Sequence, residues 1–328
     1  MDKAVLARLK NVGLLSEQVP DLGFVSTGSF ALNKVISGDY TKGIPIGYIS
    51  QFHGEASTAK TVFATHILKE AQEKGYYTML VDSENAYNPK FAESLGIDPK
   101  KLIYSTPECL EDCFQVIEDT IKAIRESDSK TPIVVAYDSI AVSPSKAEYE
   151  AEGYEGNNMI GAIRAKSTGA CLRKINPLMR KYKVALIIIN QIRNKIGVMY
   201  GSPETAAAGG KALEYYLGVN LKCISNKTGD LLKDDFKNVI GIKGTIRNTK
   251  NKVSIPFREC EFELKYNEGL SAYSGVLKQL AASGEITRSG SWYSVIGTDK
   301  KFQAKEFIDL LQDPKTEGFA ALHKLFGI

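Results

Sequence analysis

The sequence predicts an α/β fold in which a mostly parallel central sheet carries helices on both faces. Three observations predict it. Strand-like and helix-like segments alternate from residue 24 to about residue 273. Residues 133–137 and 184–189 are uninterrupted apolar runs, the texture of parallel strands buried on both faces. A glycine-led turn joins residues 48–52, which read as a strand, to residues 60–74, which read as a helix. Around this core, residues 24–273, the chain adds a short N-terminal helical arm, residues 1–23, and a small α/β C-terminal domain, residues 274–328.

In the arm, Val5, Leu6, Leu9, Val12 and Leu15 line one side of a short helix, and Pro20 and Gly23 break the pattern. Such a helix docks on its own core or on a neighbouring copy, and the pattern leaves both open. Within the core, helix 60–74 is stopped by Gly75, in a position that favours a left-handed residue. Residues 76–81 form a strand that ends in Asp82, Ser83 and Glu84. Leu110, Cys113, Phe114, Ile117, Ile121 and Ile124 recur at helical spacing. The apolar strand 133–137 ends at Asp138, and 184–189 ends at Asn190 and Gln191. Further β-like runs cover 219–224, 240–247 and 261–266, and the tail from Ser274 carries Trp292 and two helical stretches.

Composition narrows the classes. The 328 residues suffice for one large core and an appendage, with ordinary hydrophobic (43%) and charged (24%) fractions. There is no run of about 18 uncharged apolar residues, so no membrane span is expected. The start has no apolar block with a small-residue cleavage site, so a secretory leader is not expected and a cytoplasmic location is. The five cysteines, Cys109, Cys113, Cys171, Cys223 and Cys260, form no CxxC pair. Cys109 and Cys113 share a helix face, but no histidine adjoins them, and reduced core thiols fit better than a metal site. A net charge of +4 permits a nucleic-acid partner without indicating one.

Gly54, Glu55, Ala56, Ser57, Thr58, Ala59, Lys60 and Thr61 form a GxxxxxKT loop between strand and helix, the context of a phosphate-binding loop. Its backbone N–H groups would face phosphate oxygens at the positive end of the following helix. Lys60 would reach the terminal phosphates and Thr61 would hold Mg²⁺, with Asp138 orienting a water on that ion. Ala59 stands where the pattern has a second glycine. If that residue needs positive φ, the methyl costs on the order of 1 kcal/mol. Glu84, a carboxylate at the carboxyl edge of the sheet beside the loop, is well placed to activate a water.

After Gln191 about twenty residues follow with no steady period, with four glycines, two bases and one acid. So long an insertion in a compact domain is functional or disordered. Arg193 and Lys195 suit phosphates, and Ile196 and Met199 suit insertion between bases. A second loop at 152–161 contains no Lys or Arg. The helix after it carries Arg164, Lys166, Arg173 and Lys174, a basic face that suits either solvent or DNA. Lys250 and Lys252 alternate along a strand, which by itself describes a solvent face.

Together these residues resemble the bacterial RecA recombinase family, over about residues 24–300. Ser26-Thr27-Gly28-Ser29 resembles the family's opening segment, and Val81-Asp82-Ser83-Glu84-Asn85-Ala86 the strand with its catalytic glutamate. Asn88-Pro89-Lys90-Phe91-Ala92 resembles the adenine-contacting turn, with Phe91 in the place of the stacking ring. The segment from Asn190 through Gln191, Arg193, Asn194, Lys195, Ile196, Gly197, Val198, Met199 and on to Thr205 resembles the strand tip and second DNA-binding loop. The resemblance counts Gly209 and Gly210 among the DNA-binding residues as well. The 152–161 loop resembles the first DNA loop, with Met159 or Ile160 as its wedge, and Arg173 resembles a family phosphate contact.

The resemblance implies a RecA-type ATPase core that takes ATP and Mg²⁺, polymerises as a helical filament on single-stranded DNA and pairs it with double-stranded DNA, in recombination and repair. It implies that Gln191 senses the γ-phosphate and that Lys250 and Lys252 act on the neighbouring subunit's ATP. Glu214 departs from the basic residue often found before the interface aromatic, here Tyr215. The chain ends at Phe326-Gly327-Ile328 without the family's long acidic tail, as a divergent, phage-encoded member would. Two other readings stay open: a DNA helicase or motor of the same fold, and an ATP-binding filament that coats DNA with little hydrolysis, which Ala59 keeps open.

Overall fold

The computed structural model describes residues 21–151, 160–194, 204–206, 210–225, 230–298 and 300–328. The arm proposed for residues 1–23 lies almost wholly outside them. The strands are β1 (Phe24–Val25), β2 (Ile44–Pro45), β3 (Ile49–Gly54), β4 (Tyr77–Asp82), β5 (Leu102–Ser105), β6 (Ile133–Asp138), β7 (Val184–Asn194), β8 (Glu204–Ala206), β9 (Leu217–Ile224), β10 (Leu231–Lys233), β11 (Val239–Asn251), β12 (Glu259–Lys265), β13 (Gly269–Leu270), β14 (Ile286–Ser289), β15 (Trp292–Val295) and β16 (Lys301–Gln303). The helices are α1 (Phe30–Ser37), α2 (Lys60–Glu73), α3 (Pro89–Ser94), α4 (Leu110–Ser127), α5 (Lys146–Tyr149), α6 (Ile160–Lys181), α7 (Gly210–Tyr216), α8 (Val276–Ser283), α9 (Phe307–Gln312) and α10 (Ala320–Phe326).

The central sheet runs β13-β12-β11-β9-β3-β7-β6-β4-β5, with β10 added on β11 and β8 on β7. From β9 to β5 every neighbour pair is parallel, whereas β11, β12 and β13 form an antiparallel wing. The all-apolar strands are central because both their faces are covered. Val134, Ala136, Ala185 and Ile187 join the cluster under α1 and α2, while Ile133, Val135, Val184 and Leu186 join the one under α4 and α6. Helix α4 buries the expected stripe, and Glu111 and Asp112 in its first turn and Arg125 in its last suit the helix dipole. Cys109 is the residue before this helix, not part of it. Gly75, at φ 71°, follows α2 as expected.

Several boundaries differ from the sequence expectation. Strand β11 extends to Asn251, past the expected end at residue 247, because a bulge between Asn248 and Lys250 keeps it paired with β9. The described part of the stretch after Gln191 is extended: β7 continues to Asn194 and pairs with β8, Arg193 opposite Thr205. The tail has three helices rather than two, around the antiparallel sheet β14-β15-β16. The additional helix, α8, lies between Gly275 and Gly284, both left-handed. The last helix packs on the core, with Phe326 5.0 Å from Phe30 and 4.7 Å from Tyr40, centroid to centroid. Among the described residues no helix is long and apolar enough to cross a membrane.

Candidate functional site

Strand β3 delivers the loop to the carboxyl edge of the sheet. Gly54 leaves no room for a side chain, since a Cβ there would lie 2.4 Å from the Cys223 carbonyl oxygen. The loop then curls over Lys60, with Ser57 and Ala59 both at φ 64°. Ala59 thus occupies the left-handed conformation for which a glycine is the usual choice, and bears the strain anticipated from its methyl. Lys60 is buried, and its Nζ donates to the carbonyl oxygens of Gly54 at 3.2 Å and Glu55 at 2.5 Å and to Thr58 Oγ1 at 3.4 Å. Burial lowers its pKa, and the nearby acids, Asp138 and Glu84 among them, oppose that.

The Thr61 hydroxyl donates to Asp138 Oδ2 at 2.6 Å. Burial raises the Asp138 carboxyl to about 6, against the lowering effect of the Thr61 hydrogen bond. Glu84 is gripped from two sides: its Oε1 accepts from Ser139 Oγ at 2.6 Å and from Gln191 Nε2 at 3.1 Å. Asp82 sets the turn that carries Glu84, accepting from the backbone N–H groups of Glu84 and Tyr87 and from the Tyr104 hydroxyl. Asn88 caps α3 through the Phe91 N–H. A cavity of about 440 Å³ is lined by the loop, Glu84, Asp138, Gln191 and the apolar groups Phe91, Ile242, Leu264 and Tyr266. Lys60, Thr61, Glu84, Phe91, Asp138 and Gln191, from five separate stretches of sequence, therefore converge.

The residues fit a triphosphate and a hard cation. A buried lysine ammonium satisfied only by neutral oxygens has affinity to spare for an anion. A hydroxyl and a carboxylate side by side are oxygen ligands of the type Mg²⁺ takes.

Other expected site residues lie elsewhere. Lys250 and Lys252 do not line this cavity. Lys250 Nζ donates to the Glu214 carbonyl, and Lys252 Nζ to the Tyr215 carbonyl at 3.3 Å, so the pair caps the carboxyl end of α7. Lys250 meets the backbone of Glu214 rather than its carboxylate. The basic face of α6 is partly committed internally: Arg164 donates to the Ile140 and Ala141 carbonyls, and Lys174 pairs with Glu118 at 2.8 Å. Arg173 is exposed. Arg193 and Asn194 end β7, and Gly210 begins α7. Met159, Lys195, Ile196, Gly197, Val198, Met199 and Gly209 lie outside the described residues.

Sequence reasoning missed Ser139, Asp82, Tyr104 and Tyr266. Ser139 was within reach, as the hydroxyl directly after the strand-ending Asp138. Tyr266 directly follows β12, part of a wing whose position no local pattern discloses.

An α/β sheet with a phosphate loop leaving its edge, a lysine inside the loop and carboxylates at adjacent strand tips defines the class of P-loop nucleotide-binding proteins. The sequence model of the RecA N-terminal domain family matches residues 8–271. Protein RecA of Chlorobium chlorochromatii (strain CaD3) is 37% identical over 295 residues, covering 88% of this chain and 78% of that protein. Protein RecA of Aquifex pyrophilus is 36% identical over 295 residues, covering 89% and 79% respectively. The chain belongs to the RecA family.

Proposed function

We infer that the chain is an ATP-dependent DNA recombinase of recombination and repair, a DNA-dependent ATPase that forms a helical filament on single-stranded DNA and exchanges strands with a duplex. The observation that carries this reading is the Glu84 carboxylate held jointly by Gln191 and Ser139 beside the Thr61–Asp138 pair. The loop N–H groups and Lys60 would bind the phosphates of ATP, with Lys60 exchanging its carbonyl partners for charged oxygens. Phe91, Ile242, Leu264 and Tyr266 offer the base an apolar surface. Thr61 and Asp138 would hold Mg²⁺, which when bound supplies neutralisation of phosphate charge. Glu84 accepts the proton of the attacking water, and Ser139 keeps its second hydrogen bond in place. Gln191 is continuous with β7 and so with the segment beyond residue 194, which supports a coupling between its amide and the grip on DNA.

Lys250 and Lys252 stabilise the charge that develops on a neighbour's ATP. To do so they release the α7 carbonyls they hold here, so helix capping and trans contact exclude one another. Residues 1–23 act as the polymerisation arm and 274–328 as a C-terminal domain. Arg173, Arg193 and the 195–199 segment meet the DNA strand, with Met159 as wedge in the first loop. Ala59 in a left-handed conformation specifically favours one second reading, a filament that coats DNA with little turnover.

Phosphate release measured with and without single-stranded DNA separates the two. The recombinase reading expects DNA-stimulated release that falls by about 10²–10⁴ in Glu84→Gln. Unstimulated, near-zero release with intact DNA coating would replace it by the passive filament.

A further inference from the structure

Three buried amides cross the sheet beside the nucleotide site. The Gln191 backbone N–H donates to Asn190 Oδ1 at 2.9 Å, Asn190 Nδ2 donates to Gln51 Oε1 at 3.2 Å, and Gln51 Nε2 donates to Asn220 Oδ1 at 2.9 Å. They span β7, β3 and β9 and are 0%, 2% and 8% exposed for Asn190, Gln51 and Asn220. Gln51 is in register with Asn220 on one side and lies diagonal to Asn190 on the other, so all three share one face of the sheet. The far end reaches β11. Asn220 is paired with Lys250 beyond the bulge, and its carbonyl accepts from Thr249 Oγ1 at 3.2 Å.

Among their neighbours along the same strands, Ile49, Phe52, Ile188, Ile189, Val219 and Leu221 are buried and apolar, while Ser50 is buried and polar. A well-packed apolar trio would serve burial as well, since replacing both partners of a buried hydrogen bond by apolar groups is often close to neutral. What amides add is a fixed order of donors and acceptors, hence a fixed alignment of three strands, and each bond polarises the next. The strand tips so aligned bear, at one end, the amide that touches Glu84 and, at the other, the lysine pair at the end of α7.

We propose that Gln51, Asn190 and Asn220 are positioning residues that tie Gln191 to the Lys250/Lys252 strand, so that the two contacts to ATP, one within a subunit and one across subunits, operate as a unit. This rests on the reading of Gln191 and the lysine pair given above. The relay moves no proton and touches no substrate. Its function is to make displacement of β7 at Gln191 felt at β11 through side chains that cannot slip past one another without leaving a buried polar group unpaired.

A double-mutant cycle on DNA-stimulated phosphate release tests it. In the otherwise native chain, Gln191→Ala and Lys250→Ala together should lower release at least tenfold less than the product of their separate effects. In Gln51→Met, which keeps volume and removes the amide, the two effects should multiply. Asn220→Leu cuts the relay at its other link and should do the same, and thermal melting identifies which variant is folded. Persistent non-multiplicative behaviour in a folded Gln51→Met or Asn220→Leu protein overturns the proposal. So does multiplication in the native background, which leaves the roles of Gln191 and Lys250 intact. If neither single alanine changes release, the underlying reading of those two residues fails and the relay with it.

Discussion

Ala59 and Asp138 each carry a cost that substitution can expose. Ala59 holds φ 64° in the phosphate loop, so Ala59→Gly should relieve about 1 kcal/mol of strain. We expect a higher melting temperature and tighter ATP binding by calorimetry; an unchanged or lower melting temperature would show that the loop bears no such strain. Burial lifts Asp138 from 3.8 to about 6, so its ionised form is penalised in the folded state by about 3 kcal/mol. The sign follows from linkage: the penalty is absent below pH 3.8, grows as pH rises, and is complete above about 6. In chelator and without nucleotide, Asp138→Asn should therefore gain stability over the native chain as pH rises from 4 to 7. Comparison of the two proteins is needed because His66 titrates in the opposite sense over the same range. A stability difference that is flat with pH would contradict the assignment.

His66 and the lysine pair show how elements are held to one another. His66 projects from α2, and its Nε2 accepts the backbone N–H of Leu270 at 3.1 Å, fixing β13 at the edge of the wing. Burial pushes its pKa from 6.5 down to about 4, with Lys69 adding to the effect. A depressed histidine contributes stability that is full above pH 6.5 and lost as pH falls toward 4. His66→Ala should cost about 1–3 kcal/mol at pH 7.5 by stranding the buried N–H, and less at pH 5, in urea titrations. At the other edge, Lys250 and Lys252 hold the last turn of α7. The double alanine variant should retain ATP binding to the isolated subunit, because neither lysine lines the cavity, and lose DNA-stimulated release. Lost ATP binding in a folded subunit would place the pair in the subunit's own site.

Across the chain as a whole, the parts that sequence disclosed are those whose signal is local. The runs at 133–137 and 184–189 had to be central strands, because nothing else buries them on both faces. The loop at 54–61 needed only its glycine, its lysine and the flanking periodicities, and Glu84 only its strand end. What stayed hidden depends on meetings through space. The grip of Ser139 and Gln191 on Glu84, the cap that Lys250 gives α7 and the Gln51 relay join residues 55, 107, 36 and 169 positions apart, and periodicity has no reach over such separations. The tail is another case. Phe326 closes on Phe30, Tyr40 and Tyr273, so the last helix is stitched to the core near its first helix. Phe326→Ala should cost about 3–5 kcal/mol in thermal melts, provided the tail melts with the core. A native-like melt of the core would show the two to be independent.

Electron micrographs of the protein with single-stranded DNA, taken with a non-hydrolysable ATP analogue and again with no nucleotide, ask whether ATP governs the hold on DNA. Striated helical filaments in the first sample and none in the second are expected. Closed rings, or filaments that form equally well without nucleotide, would contradict a recombinase whose γ-phosphate contacts command its DNA segment.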